Sequence, residues 1–285
     1  MIKKLLIILL LLLTLITPKT LLEGAKCGLD LWLTALIPAL LPFMIISNYI
    51  MSYDLANLVN VLMRPLTFIL KLEKEAGYAI FSGIFFGYPS CAVTCTNLYK
   101  SGRLDQKSAN ICICAFNNVS PAFISGYIGC AICSNKTQLM LIFANVYLTI
   151  LINAFVVRFL FFTGKTNEKK VRNNVKPNLP GFNDIIQKSL INILKIGIYV
   201  FIFCIIGAYI KKLTPVPCYF LEVTTALMLS GKDSLRFLPC ITSFGGICGI
   251  FQTFAVDDGK IIDRKKYCLA KLSAMAISFV LVILL

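Results

Sequence analysis

Gly87-Tyr88-Pro89-Ser90, then a charged knot from Lys100 to Lys107, then Phe116-Asn117-Asn118-Val119-Ser120-Pro121 interrupt the apolar stretch that runs from Gly77 to Gly129. A segment long enough to enter a bilayer, yet broken twice by Pro, Gly and uncharged polar residues, has the pattern of a discontinuous membrane helix. Such breaks survive at membrane depth only where the freed backbone groups meet protein, water or a solute. This stretch is therefore the first place to look for a transport site. The arms either side of Gly87-Tyr88-Pro89 are each about eleven residues, roughly half a membrane thickness. A re-entrant hairpin over Gly77 to Tyr99 is expected, rather than two full spans.

The rest of the chain agrees. Of its 285 residues, 58% are hydrophobic and only 14% charged, and the mean hydropathy is +0.82. Apolar runs long enough to cross a bilayer recur along the whole length, so the expected fold class is an all-α polytopic membrane protein, with the lipid bilayer as its first partner. The net charge of +15 would suit nucleic acid in a soluble chain. Here the basic residues cluster in links between apolar runs, which the positive-inside rule explains without a nucleic-acid partner. There is no histidine, which removes the commonest metal ligand and most Ser-His or Cys-His catalysis. Cys130-Ala131-Ile132-Cys133 is a formal CxxC, and Cys91 and Cys95 lie one helical turn apart. Lacking a second CxxC or any histidine, they read as small apolar packing residues. No metal, cofactor or enzymatic constellation is expected.

Taken in order, residues 1–20 form an N-terminal anchor or a signal segment: Ile2 to Thr17 is a short apolar run led by Lys3 and Lys4. No small-x-small cleavage site follows, which favours an uncleaved anchor. A first repeat covers 29–163. It holds a span from Leu29 to Tyr49 kinked at Pro38 and Pro42, an interfacial helix from Leu55 to Leu70, the hairpin, a broken span from Ser108 to Cys133, and a return from Thr137 to Phe162. A basic cytoplasmic linker, 164–190, carries Lys165, Lys169, Lys170, Arg172 and Lys176. The second repeat, 191–285, holds a span to Ile210, a short helix from Tyr219 to Leu229, a span from Leu235 to Val256 interrupted at Ser243-Phe244-Gly245-Gly246, and a final span. In this topology most Lys and Arg fall in cytoplasmic links, with Arg158 and Lys271 counted among them.

The halves correspond. Tyr88 and Tyr219 each open a short helix, ending at Ser101-Gly102-Arg103 in one half and Ser230-Gly231-Lys232 in the other. An apolar run and a break follow each time, at Phe116-Asn117-Asn118 and at Phe244-Gly245-Gly246. The first hairpin enters from inside and its counterpart from outside, which makes an inverted-topology repeat with re-entrant hairpins and broken transmembrane helices.

Several residues have side chains suited to a site. Glu222 lies in Leu221-Glu222-Val223-Thr224-Thr225, and reads as the acidic residue set inside an apolar helix. A carboxylate there suits coupling by H+ or Na+, or a hydrogen bond to the solute; the plainer alternative is a pair with Lys211 or Lys212. Asn117, Asn118 and Ser120 offer amides and a hydroxyl beside Pro121, either to a polar solute or as caps of half-helices. Gly245, Gly246 and Gly249 permit unwinding, Gln252 lies within reach of them, and Tyr88-Pro89-Ser90 forms the hairpin tip.

Together, Gly87-Tyr88-Pro89, Phe116 to Phe123, Glu222-Val223-Thr224 and Phe244-Gly245-Gly246 with Gln252 resemble the YlbJ-type sporulation integral membrane proteins of the nucleoside-recognition, or Gate, superfamily. The resemblance covers roughly residues 30 to 285. It implies a fold related to concentrative nucleoside transporters, and two Gate-like repeats. It also implies export of dipicolinate across the outer forespore membrane during endospore formation. By that analogy the substrate-binding residues are Tyr88, Ser90, Asn117, Asn118, Ser120, Glu222, Thr224, Gly245, Gly246 and Gln252. One departure stands out: where the family carries Gly-Ala-Lys after the tip, this chain has Cys91-Ala92-Val93, so the tip lacks a base. The function expected is a secondary transporter or facilitator of a small polar or anionic metabolite, dipicolinate by the resemblance. The alternatives are a nucleoside transporter or a non-transporting scaffold of the sporulation machinery. Homo-oligomerisation is open to such a chain.

Overall fold

The structure, a computed structural model, describes residues 15–52, 56–129, 133, 135–163, 181–213, 218–223, 237–257 and 260–284. In chain order the helices are α1 (Pro18–Leu31), α2 (Ile37–Ser52), α3 (Ala56–Leu62), α4 (Arg64–Ile69), α5 (Ala76–Phe86), α6 (Ser90–Lys100), α7 (Gln106–Phe116), α8 (Pro121–Phe123), α9 (Lys136–Val156), α10 (Phe182–Leu213), α11 (Cys218–Leu221), α12 (Leu238–Phe244), α13 (Gly246–Ala255) and α14 (Arg264–Leu284). Among the described residues there is no strand, and five helical stretches are long and apolar enough to cross a membrane. The protein is an all-α polytopic membrane protein. Residues 1–14, the basic run 165–176 and the turn 230–234 lie outside the described residues.

The hairpin forms as its arm lengths require. α5 and α6 have 11 residues each and join through Gly87-Tyr88-Pro89. Each is therefore roughly 16 Å long, about half of a hydrocarbon core. A hydrogen bond from Thr94 Oγ1 to Ser82 Oγ at 3.0 Å ties the arms together. The interfacial stretch divides at Met63, because Pro65 suits the first turn of a new helix better than the middle of an old one.

α1 continues through a π-helical turn at Trp32–Leu36 into α2, and the limbs 18–36 and 40–50 diverge by 51°. Pro38 and Pro42 cannot donate to carbonyls one turn back, so a bend here is what the sequence demands. α1 packs along α10. Cβ atoms added at Gly24 and Gly28 would come within 2.6 Å of Ile205 Cα and 2.8 Å of Phe201 Cα. Between helices in lipid, where apolar burial supplies little drive, backbone approach of this kind holds the pair.

Two boundaries need correction. The division at 20 and 29 falls inside α1, and the division at 190 and 191 falls inside α10. The end of the apolar run at Thr17 led to the first placement and the basic run to the second, but Glu23, Lys26 and Asp30 lie on the exposed side of α1, where they do not interrupt the helix. Arg158 is also more than a link charge. It is 4% exposed, and it donates from Nε to Leu70 O at 2.5 Å and from Nη1 to Phe162 O at 2.7 Å.

Two apolar clusters result. One unites α5 to α9 with α12 to α14; the other unites α1, α2 and α10, and reaches Cys248 on α13. The candidate site lies at the seam between them.

Candidate functional site

α7 stops at Phe116, α8 starts at Pro121, and the four residues between are non-helical. Their side chains explain how the break is held. Ser120 Oγ accepts from Phe123 N at 3.1 Å, an N-cap ahead of a proline in the first turn. Asn118 Nδ2 donates to Ala115 O at 2.8 Å, satisfying a carbonyl in the last turn of α7. The hairpin tip docks here as well: Tyr88 N donates to Asn118 O at 2.6 Å. Gly87 makes that approach possible, since its φ is +76° and a Cβ there would lie 2.7 Å from Ser120 N.

The second break is shorter. α12 ends at Phe244, and Gly245, left-handed at φ 81° and ψ 3°, turns the chain into α13. The tip reaches this break too. Cβ atoms on Gly245 and Gly249 would lie 3.7 Å and 3.2 Å from the Tyr88 ring, and one on Gly246 would lie 3.3 Å from Glu222 Cα. Tyr88 therefore touches both breaks.

Where these parts meet, a cavity of about 30 Å³ is lined by Tyr88, Ser120, Glu222 and Gln252, with Leu36, Leu40 and Val200 supplied by the α1–α2–α10 frame. That volume holds a water or two, not a metabolite. Glu222 is 6% exposed, and it sits in non-helical backbone just past α11 rather than inside a helix. The membrane-length bent pair that includes α1 also carries acids, at Glu23 and Asp30. Gln252, 5% exposed, donates from Nε2 to Cys248 Sγ at 3.2 Å.

Of the residues read from the sequence, Tyr88, Ser120, Glu222 and Gln252 converge on this cavity, and Gly245 and Gly246 flank it beside Tyr88 and Glu222. Asn117 and Asn118 turn to protein instead. Asn117 Nδ2 donates to Thr253 Oγ1 at 2.8 Å and to Tyr267 OH at 3.0 Å, while its buried Oδ1 has no hydrogen-bond partner. Ser90 is buried in the first turn of α6, with its N–H on Gly87 O at 2.9 Å. Thr224 lies outside the described residues.

Lys271 is the residue that sequence reading misplaced. Counted as a cytoplasmic link charge, it sits inside α14 at 2% exposure. Its Nζ donates to Asn117 O at 2.6 Å and to Asn118 Oδ1 at 2.9 Å. Placing a lysine at mid-membrane costs about 3 kcal/mol on insertion scales, so such residues keep polar company. A signal was available: Cys268-Leu269-Ala270-Lys271-Leu272 sets a charge within an apolar run, the same criterion that marked Glu222. Nearby Arg264, Lys265 and Lys266 masked it.

Nearer the helix ends, an open polar bowl of about 590 Å³ is lined by Asp105, Lys107, Asn110, Lys260, Asp263 and Lys266. Asn110 closes its wall, donating from Nδ2 to Ile261 O at 2.7 Å and accepting from Asp263 N at 2.7 Å. Cys91, Cys95 and Cys112 pack together in the core, and Cys91 Sγ donates to Cys112 O at 3.5 Å. Among the described residues, no three His, Cys, Asp or Glu side chains gather as a metal site.

No family model matches the chain, and no solved structure matches it. Among curated proteins, a relative is found for the likeness that the motifs carry. The chain is 26% identical over 171 residues to the sporulation integral membrane protein YlbJ of Bacillus subtilis strain 168. The match takes in 60% of this chain and 41% of that protein, so the chain spans well under half of its relative's length. The chain is similar to a YlbJ-type protein, by its motifs and by direct comparison.

Proposed function

We propose that the chain is a secondary transporter or facilitator of a small polar or anionic metabolite, acting in sporulation. The observation that carries this reading is the convergence of both halves on one cavity. The hairpin tip, the unwound 117–120 segment and the Gly245 hinge meet there, with the buried Glu222 and Gln252. Freed backbone at membrane depth fits a solute path. A cavity with room for only a water or two fits an occluded conformation, which opens by movement of the tip against the two breaks. Glu222 serves either as the coupling site for H+ or Na+ or as a hydrogen-bond acceptor for the solute. The polar bowl beside Lys260 and Lys266 is the cytoplasmic approach.

The relative's name supports a place in sporulation. Resemblance to its type supports dipicolinate as the solute, and the outer forespore membrane, on the mother-cell side, as the location. On this reading the chain is not an enzyme and needs no cofactor. The test is uptake of labelled dipicolinate and of a nucleoside into vesicles holding the purified chain. Saturable dipicolinate uptake that is lost in Glu222→Gln is expected. Vesicles no faster than empty ones for every solute tried overturn the reading.

A further inference from the structure

Lys271 is not part of the cavity lining, yet it holds the first break. When protonated, its amine carries three N–H donors. It meets two acceptors, Asn117 O and Asn118 Oδ1, and both are neutral oxygens. Among the described residues, no carboxylate lies within ion-pair distance of it. Room remains beside it. A Cβ placed on Gly245 would meet nothing nearer than the Tyr88 ring at 3.7 Å and Lys271 Nζ at 3.9 Å. A methyl-sized gap therefore separates the amine, the hinge and the tyrosine, and the same tyrosine walls the solute cavity.

We propose that Lys271 is the anion-recognising group of this site: a carboxylate on the solute takes its ammonium from Asn117 O and Asn118 Oδ1. The bonds to Asn117 O and Asn118 Oδ1 carry charge on the donor alone; a carboxylate adds the attraction of the opposite charge, which is stronger away from water, so the exchange runs toward the carboxylate. Releasing those two oxygens also unlatches the unwound segment, so that binding the charge and loosening the break are one event. Tyr88 has to move aside to open the gap into the cavity, which links the hairpin tip to the same step. A neutral solute offers Lys271 only acceptors of the kind it already holds. The inference rests on the transport reading and assigns the group that recognises the charge of its solute.

The test uses the full chain in vesicles and in detergent, with pyridine-2,6-dicarboxylate and the uncharged pyridine-2,6-dicarboxamide as probes. Uptake of each, and the thermal shift each produces, are measured for wild type, Lys271→Met, Lys271→Gln and Lys271→Arg. Met keeps most of the side-chain length, while Gln keeps donors for Asn117 and Asn118 without the charge, so one neutral variant serves if the other fails to fold. The neutral variants are expected to lose about tenfold or more of dicarboxylate uptake and its thermal shift, and Arg to keep part of both. Neutral variants that keep the dicarboxylate uptake and shift overturn the proposal and leave the transport reading intact. Wild type without uptake, but with a dicarboxylate shift that Lys271→Met abolishes, overturns transport and keeps the anion assignment. Wild type with neither overturns both.

Discussion

The two helix breaks share one pattern in the sequence, and they are built differently. The first spans four residues and is latched by polar side chains: Ser120 caps the following helix, Asn118 caps the preceding one, and Lys271 reaches in from α14. The second turns on a left-handed glycine, Gly245, followed by Gly246 at φ 70°, with Tyr88 and Glu222 packed nearby. A latched segment opens by exchanging hydrogen bonds, whereas a glycine hinge bends without giving any up. On the transport reading, which asks a site both to recognise a solute and to move, the first break suits recognition and the second suits motion. One pattern in the sequence, an interrupted apolar run, thus covers two kinds of mechanics.

The largest expected effect is at Gly87, where the tip meets the latched break. Its backbone, at φ 76° and ψ −167°, is a conformation that essentially only glycine adopts, and a Cβ would strike Ser120 N. Gly87→Ala is expected to cost roughly 3 kcal/mol or more, seen as a fall of about 10 °C in the melting temperature of the detergent-solubilised chain. An unchanged Tm would break the claim that the tip is pinned to the unwound segment.

Asn118→Ala comes next. It removes the bond to Ala115 O and one of the acceptors of Lys271, for a loss of about 2 kcal/mol, since a buried donor is left without its partner. Gly245→Ala should cost less, roughly 1.5 kcal/mol, all of it backbone conformation because the added Cβ meets only ordinary contacts. Asparagine tolerates the left-handed region, so Gly245→Asn should recover part of that loss by the same melting measurement. If it does not, the second break depends on space rather than on backbone freedom. Ser120→Ala is the smallest, about 1 kcal/mol for a lost N-cap. Amide exchange at Phe123 that stays slow in that variant would show that the cap is not what holds α8.

Much of this fold was legible in the sequence, because breaks and bends are local chemistry. Pro38 and Pro42 lack donors, Gly87 and Gly245 permit left-handed backbone, and arms of half-membrane length turn back on themselves. The hairpin, the broken span through Asn117 and the return span all follow. The extent of α1 did not, because Glu23, Lys26 and Asp30 resemble a link until the helix is seen to expose them together. For the site, sequence named four of the residues lining the cavity, yet it did not show that the amides of Asn117 and Asn118 face protein. Their partners, Thr253, Tyr267 and Lys271, lie more than a hundred residues away along the chain.

The sequence by itself determined an all-helical membrane protein with a half-length hairpin and two broken spans, since hydropathy, proline and glycine act on their own segment. Only the tertiary structure decided that Tyr88 touches both breaks, that Gly24 and Gly28 seat α1 on α10, and that Lys271 is buried against the first break rather than set in a loop. These are distances between segments remote in the chain. A lysine's meaning depends on whether its ammonium reaches water or a buried carbonyl, and packing alone settles that.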